Sequence, residues 1–372
     1  MQRQQYTMVE RRSFLLVSGA AIVVGAAAVW AGTRQMGTMQ DYAAATLAMR
    51  AELPADPAVP DLVRFATLAA NSHNTQPWRF RQRGTGIDIL PDLTRRTPAV
   101  DPDDHHLFAS LGCAAENLAV AAASRGRVGE LTFDPSAETA IRFDYSSGAI
   151  ADAALSDAIP ARQSTRAAYD GGPVSAADLA TLEQAARLPG VDVTLITERA
   201  DLDAIGDLII AANTSQMADP AFVRELKLWL RFNPHAALQQ GDGLFSATTG
   251  NPSLPDWLGP RMFDWAFTAK AENEKYAQQI ASSAGVAVFS AARADPEHWV
   301  LAGRACQRFA LQATALGLKH AFLNQPVEVA GFRASLADLV GLPGRRPDLV
   351  MRFGRAAAMP YSARRSVESV LA

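Results

Sequence analysis

Cysteine is scarce in this chain: Cys113 and Cys306 are the only two among 372 residues. Two cysteines cannot form the disulfide framework of a small secreted domain. Each lies in an alanine-rich stretch, where a small buried side chain is favoured over a redox or ligand role. No HExxH or CxxC motif occurs, and no two of the six histidines are four residues apart. The sequence therefore predicts no metal site.

The usual phosphate-binding loops are missing as well. There is no GxxxxGK[ST] loop, no GxGxxG turn and no GxSxG motif, so any bound phosphate has to be held by side chains. The net charge is only −3, so the chain lacks the excess positive charge that favours binding of nucleic acid or anionic lipid. Nucleic acid is therefore not expected as a partner, and a membrane is expected only through the N-terminal segment. Since 49% of residues are hydrophobic, the chain can bury one large core or two ordinary ones.

The N-terminus has the composition of an export signal. Residues 10–16 read ERRSFLL, with the pair Arg11-Arg12, and the uncharged stretch 13–32 follows. A charged region before an apolar one is typical of signal peptides, and this one resembles the twin-arginine (Tat) signal of bacteria. We expect residues 1–31 to be a Tat signal and the protein to be periplasmic or in the cell envelope. About 20 apolar residues can span a bilayer, so residues 13–32 as a retained membrane anchor stay the alternative.

Two long apolar helices dominate the rest of the pattern. Residues 107–125 and 302–316 are apolar on most faces and each is followed by a glycine, which indicates buried helices. Shifting the sequence by 191 residues places Gly112 on Gly303 and Gly126 on Gly317. This weak repeat is what two related α+β halves, each around a central helix, would show.

Three short segments can carry binding chemistry. Ser72–Trp78 reads SHNTQPW, in which Pro77 is expected to hold Gln76 in extended geometry. Amide side chains both donate and accept, which suits a heteroaromatic ring edge, although they also cap backbone groups. Arg162–Arg166 reads RQSTR, and two guanidinium groups four apart can converge on one phosphate or form a solvated turn. At the C-terminus, Phe353-Gly354 and Arg364-Arg365 form either further phosphate contacts or a surface tail.

Taken in order, these segments resemble the nitroreductase family, whose members bind FMN. The family's phosphate-binding pattern R-x-S-x-R is met by Arg162, Ser164 and Arg166, and its flavin-ring loop ends in N-x-Q-P-W, as residues 74–78 do. The likeness spans about residues 60–370 and is greatest to the Acg-like branch, long chains with HNTQPW and a terminal ARR. It implies that FMN is bound by Ser72, His73, Asn74, Gln76, Arg162, Ser164, Arg166, Gly354, Arg364 and Arg365.

The resemblance also implies an α+β, nitroreductase-like fold made of two fused halves, each a sheet packed around a long buried helix. In ordinary family members the arginine motif comes first and two chains share each FMN. Here NTQPW precedes RQSTR by about 90 residues, which fits two fused halves, one FMN per chain and a monomer with an internal pseudo-dimer. We expect a linker and short helix over 32–60, a first half with the ring loop over 61–160, and a second half with the phosphate clamp over 161–372.

Residues 213–275 are rich in proline and large side chains, including Trp257 and Trp265. Ordinary packing and a lid over the flavin are both open interpretations. The resemblance implies that the flavin carries the chemistry and that no catalytic side chain is required. The expected function is FMN-dependent, ping-pong reduction of nitro compounds, quinones or similar small acceptors. The alternatives are a non-catalytic or sequestering FMN protein, and an interaction protein without flavin. The electron donor is left open between NAD(P)H and a membrane quinol, since NAD(P)H is not expected outside the cytoplasm.

Overall fold

The computed structural model describes residues 35–136 and 141–372. The Tat signal expected at 1–31 and the alternative anchor at 13–32 lie outside these ranges. Within them the protein is α+β, with two four-stranded sheets on either side of a pair of long central helices.

The first sheet belongs to the N-terminal part of the chain. Its elements are α1 (Met39–Ala48), α2 (Val59–Thr67), β1 (Trp78–Arg83), β2 (Gly86–Pro91), α3 (His105–Ala123), β3 (Arg127–Phe133), β4 (Ile141–Ser147) and α4 (Ala153–Ala158). The strands are antiparallel in the order β1-β2-β4-β3. Trp78 and Phe80 alternate with polar residues along β1 and are fully buried, so this sheet has one core face, and it packs on α3.

The second sheet is antiparallel in the order β5-β8-β10-β9. Its strands are β5 (Val191–Ile196), β8 (Gly285–Ala291), β9 (Lys319–Phe322) and β10 (Leu349–Gly354). The helices are α5 (Ala176–Ala186), α6 (Arg199–Met217), α10 (Ala269–Ala281), α11 (Pro296–Ala315), α12 (Gln325–Glu328) and α13 (Arg333–Leu339). Every residue of β8 is buried, because α11 covers one face of the sheet and α6 and α13 the other.

Between α6 and α10 the chain makes several short elements. These are α7 (Pro220–Leu228), β6 (Leu230–Arg231), α8 (Pro234–Gln240), β7 (Leu244–Phe245) and α9 (Gly259–Ala266), and the two short strands pair in parallel. A last helix, α14 (Val367–Val370), follows β10. After β10 the C-terminal segment runs back to the first sheet, where the amide of Ala372 donates to the carbonyl of Phe80 at 2.8 Å.

Helices α3 and α11 cross at two glycines. A Cβ on Gly112 would lie 2.1 Å from the carbonyl oxygen of Val300, and one on Gly303 would lie 2.0 Å from that of Ala109. Only glycine permits backbones to approach this closely. These are the two glycines that the repeat aligns, so each helix presents the same position to the other across a pseudo-twofold contact.

The predicted central helices are confirmed, with different ends. Helix α3 starts two residues before the predicted 107, and it is the one helix in the described ranges that is long and apolar enough to cross a membrane. Since 83% of its apolar window is buried inside the protein, it is a core helix. Helix α11 starts at Pro296 rather than at 302, because Asp295 caps it by accepting from the amide of His298 at 3.0 Å.

Candidate functional site

A small polar recess lies where the end of α1, the segment 159–166 and the C-terminal segment meet. Four arginines line its volume of about 40 Å³, and we call it the arginine recess: Arg50, Arg162, Arg166 and Arg364. Its other lining residues are Ala70, Asn71, Asn74, Gln163, Ser164, Leu244, Pro360 and Ser362, and none of them is acidic. Two of these arginines come from the RQSTR motif and one from the C-terminal pair.

The guanidinium of Arg162 is only partly used by the protein. The residue is 2% exposed, and its Nη2 donates to the carbonyl of Leu68 at 3.0 Å. Its Nε and Nη1 have no hydrogen-bond partner in the described part of the chain. Buried donors of a charged group are costly when left unpaired, so these two atoms indicate that the recess is built for a ligand.

The other arginines are held in place around it. Arg50 Nη1 donates to the carbonyl of Pro160 at 2.7 Å, and its guanidinium lies 4.0 Å from the ring centre of Tyr361. Arg364 donates through Nε to the carbonyl of Thr67 at 2.7 Å and through Nη1 to Asn74 Oδ1 at 2.8 Å. These bonds orient the two cations without neutralising their charge.

The electrostatics of the recess are those of an uncompensated cationic site. Burial, with repulsion from Arg162 second, lowers the pKa of Arg50 to about 9. Burial also lowers the pKa of Arg162 to about 10. The pKa of Arg364 falls well below its ordinary value through burial and then through the charges of Arg50 and Arg162. Buried like charges without a carboxylate favour binding of an anion, and a phosphate dianion suits several converging guanidinium groups.

The predicted ring loop borders the recess in a strained conformation. His73, Asn74 and Gln76 have φ angles of 48°, 55° and 53°, in the left-handed region that costs a non-glycine residue about 1–3 kcal/mol. The expectation that Pro77 holds Gln76 in extended geometry is therefore wrong. The backbone amide of Gln76 instead donates to Asn71 Oδ1 at 2.9 Å, which closes the loop on itself.

The amides of Asn74 and Gln76 are engaged by the protein itself. Asn74 Nδ2 donates to the carbonyls of Gly243 and Ala363 at 3.0 and 3.1 Å. Gln76 is fully buried; its Nε2 donates to the carbonyl of Gly241 at 2.8 Å and its Oε1 accepts from the amide of Arg365 at 2.9 Å. Both side chains thus hold the loop against the segments 241–243 and 363–365. This positioning role differs from the suggestion that the two amides bind the edge of a heteroaromatic ring.

Two further predicted residues lie outside the lining of the recess. Gly354 ends β10 and packs against Tyr169, which a Cβ would approach to 2.8 Å. Arg365 turns away from the recess, where its Nη1 donates to the carbonyl of Gln76 at 3.3 Å and reaches Asp92 Oδ2 at 3.5 Å. The structure thus brings Arg162, Ser164, Arg166, Asn74 and Arg364 to the recess.

A much larger cavity of about 520 Å³ adjoins the recess. We call it the central cavity; it shares Ala70, Asn71, Arg166 and Leu244 with the recess, and Ser72 and His73 line it. Burial lowers the pKa of His73 to about 4, with the charge of Arg166 second, so this imidazole is neutral near pH 7. Because the two spaces share four lining residues, one ligand can place an anionic end in the recess and a flat ring system in the cavity.

A histidine-carboxylate cluster stands at the edge of the cavity. Asp101, His105 and His106 offer atoms within 4.8 Å of one another, as metal ligands do. The Asp101 carboxylate, however, caps α3 by accepting from the amides of His106 and Leu107 at 3.0 and 2.9 Å. His105 Nε2 lies 2.9 Å from Asp348 Oδ1. These contacts give the cluster a structural role at the start of the core helix.

Sequence reasoning missed Arg50, which stands alone in a short helical pattern with no motif around it. It also gave no role to His106, Gln325 and Glu328, which line the central cavity. Gln325 lies in Asn324-Gln325-Pro326, which partly repeats the pattern of the ring loop. This partial repeat is the one sequence feature that could have identified Gln325 as a candidate site residue.

The sequence is similar to those of known proteins. The model of the nitroreductase family fits residues 159–355. A candidate NAD(P)H nitroreductase of Mycobacterium tuberculosis strain H37Rv is 27% identical over 338 residues, 87% of this chain and 94% of the relative.

Solved structures include an FMN-dependent nitroreductase of Mycobacterium smegmatis, 14% identical, with a TM-score of 0.38 over 58% of this chain and 91% of that one. A Bacteroides fragilis nitroreductase with bound FMN is 18% identical, with a TM-score of 0.34 over 55% of this chain and 88% of that one.

The family model thus begins just before Arg162, ends just after Gly354 and covers just over half of the sequence. With the RQSTR motif and β10 both inside that match, the chain belongs to the nitroreductase family.

Proposed function

We propose that this protein is an FMN-dependent oxidoreductase that reduces nitro compounds, quinones or similar small acceptors in a ping-pong cycle. The observation that carries the proposal is the arginine recess: four arginines, no acidic residue, and two unpartnered donors on Arg162. The names of the Mycobacterium tuberculosis relative and of the solved neighbours support the same chemistry.

The residues present fit FMN. Arg50, Arg162, Arg166 and Arg364 would hold the phosphate, with the hydroxyl of Ser164 beside them. The ring system would lie in the central cavity beside the strained loop, where Ser72 and His73 form the wall. Bound there, the flavin supplies hydride chemistry, while the protein positions it and limits access. No general acid or base is assigned to the hydride transfer.

One flavin per chain follows from the arrangement we propose. The ring loop comes from the half 61–160 and the phosphate clamp from 161–372, and the chain has one copy of each motif. With α3 and α11 forming a pseudo-twofold contact inside one chain, we expect a monomer to hold a complete site.

A second candidate is a protein that holds FMN without turnover. It is favoured by the segment 213–275, which supplies much of the apolar wall of the central cavity. Anaerobic mixing of the yellow protein with NADPH separates the two, since only the oxidoreductase bleaches with this donor and then reoxidises with an acceptor.

The phosphate assignment is tested by ligand discrimination. We expect one FMN per chain on extraction, and Arg162→Ala or Arg50→Ala to weaken FMN binding about 10- to 150-fold, the value of one charge-assisted contact. Riboflavin, which lacks the phosphate, should lose much less. Dissociation constants from flavin fluorescence provide the measurement.

Arg187→Ala is the matched control, because the Arg187 side chain is 69% exposed and does not line the recess. Equal losses for FMN and riboflavin would show that the recess is only structural. A protein that takes up no flavin when refolded with excess FMN would overturn the proposed function.

A further inference from the structure

Helix α1 packs against the C-terminal segment beside the arginine recess. Its Tyr42 side chain is fully buried, in a small apolar cluster with Ala237, Phe245 and Ala363. The rings of Tyr42 and Phe245 lie 4.6 Å apart between their centres. This packing fixes the position of the Tyr42 side chain relative to the residues that lead to Arg364.

The hydroxyl of Tyr42 bridges two backbone groups of the C-terminal segment. It donates to the carbonyl of Tyr361 at 2.8 Å and accepts from the amide of Ala363 at 3.1 Å. Burial raises the pKa of Tyr42 to about 12, so the hydroxyl keeps its proton near pH 7 and makes both bonds. The two bonds enclose Ser362, and Arg364 follows directly. Ser362 and Arg364 both line the recess.

Arg50, two residues beyond the end of α1, makes a second set of contacts from the same part of the chain. Its Nη1 donates to the carbonyls of Pro160 and Arg162 at 2.7 and 3.3 Å. Its guanidinium lies over the ring of Tyr361, 4.0 Å from the centre. The N-terminal region 39–50 therefore contacts both the backbone of the RQSTR motif and the C-terminal segment.

Arg364 depends on tertiary contacts for its position. Residues 355–366 form neither helix nor strand, so no regular hydrogen-bond pattern fixes their backbone. Arg50, Arg162 and Arg364 carry like charges in one recess, and their repulsion favours displacement of the arginine on the least regular segment. The two bonds of the Tyr42 hydroxyl oppose that displacement.

We propose that Tyr42 is a positioning residue of the phosphate site, which holds the backbone of residues 361–363 so that Arg364 faces the anion. The inference rests on the proposed assignment of the recess to the FMN phosphate. Both α1 and residues 361–364 lie outside the region 159–355 that the family model matches. The segment 32–60, expected from the sequence to be a linker with a short helix, then supplies one cation and one positioning side chain to the site.

The proposal is tested with Tyr42→Phe, which keeps the buried ring and removes both hydroxyl bonds. We expect the dissociation constant for FMN, measured by flavin fluorescence with the full chain, to rise about 2- to 12-fold, the range of one neutral hydrogen bond. The affinity for riboflavin should stay within about twofold, because riboflavin has no phosphate for Arg364 to contact.

Tyr145→Phe is the matched control. Tyr145 lies on β4 in the first sheet and does not line the recess, so this variant should bind both flavins as the wild type does.

A double-mutant cycle separates positioning from a general structural role. If Tyr42 acts through Arg364, then Tyr42→Phe should weaken FMN binding no further in a chain that already carries Arg364→Ala. A hydroxyl that only stabilises the fold would cause the same loss with and without Arg364.

Three results would each overturn the inference and leave the FMN assignment intact. They are unchanged FMN affinity in Tyr42→Phe, equal losses of FMN and riboflavin, and the same FMN loss in both backgrounds of the cycle. A wild-type chain that takes up no flavin would instead overturn the proposed function, and the inference with it.

Discussion

At the level of single residues, the tightest constraint is the contact between Gly303 and the backbone of α3. Gly303→Ala would place a methyl group 2.0 Å from the carbonyl oxygen of Ala109, so the two central helices must separate. Overpacking of this kind costs about 1–3 kcal/mol or more. We expect the free energy of unfolding from urea titration to fall by at least that amount, with some loss of bound flavin, because α3 borders the central cavity.

Gly331→Ala is the matched control. A Cβ on Gly331 meets no atom within 4 Å, so this variant should retain the stability of the wild type. Comparable unfolding midpoints for Gly303→Ala and Gly331→Ala would contradict the close helix crossing.

Predictability of the site from the sequence differs from residue to residue. Arg162 and Arg166 could be placed at one recess because their spacing matches a known pattern. Arg50 could not, since it reaches the recess through the packing of α1, and no local pattern encodes that approach. Asn74 and Gln76 were correctly linked to the loop, but their hydrogen bonds go to Gly241, Gly243 and Ala363, partners distant in sequence that only the fold brings together.

At the level of elements, the segment 213–275 presents phenylalanines to the cavity and tryptophans to solvent. Phe263 and Phe267 line the cavity and stack on each other at 4.4 Å between ring centres. Trp257 and Trp265 are 50% and 77% exposed. Neither tryptophan lines the cavity: Trp265 lies on α9 and Trp257 lies just before it.

If the segment acts as a lid, its phenylalanines limit access. We expect the double variant Phe263→Ala, Phe267→Ala to raise the rate of flavin reduction by dithionite in stopped-flow experiments several-fold. Affinity for FMN should change less, because neither residue lines the arginine recess.

The matched control is the double variant Trp257→Ala, Trp265→Ala, which also removes two aromatic side chains. Its rate of flavin reduction should equal that of the wild type. If the phenylalanine variant reduces no faster while losing several kcal/mol of stability, on the scale of deleted buried aromatics, then the segment is core and not a lid.

The long elements could be predicted because their apolar periodicity is strong, as in α3 and α11. The second sheet contains strands that are difficult to predict from the sequence. Strand β9 has four residues and carries Lys319 and His320, a composition that does not identify a strand. This strand forms because it pairs with β10 in the second sheet. That tertiary contact outweighs the local conformational preference of its residues.

On the scale of the whole molecule, export of the folded, flavin-loaded protein is our proposal for its location. Arg11→Lys with Arg12→Lys keeps the charge and removes the paired guanidinium groups. We expect the double variant to accumulate in the cytoplasm, folded and yellow, as judged by fractionation and flavin absorbance.

Arg3→Lys, a change of the same kind in the same region, should leave export unaffected. Wild-type export of the double-lysine protein would point instead to the general secretory route or to a membrane anchor.

The return of the C-terminal segment to the first sheet affects how the protein is made. Arg364 lines the recess and Ala372 bonds to Phe80, so the site needs both ends of the described chain. A nascent protein can fold its first sheet on the ribosome, but it cannot complete the arginine recess before Arg364 has been translated. Under the proposed assignment of this recess to the FMN phosphate, truncated products lack a full phosphate clamp, and flavin loading reports on completed synthesis.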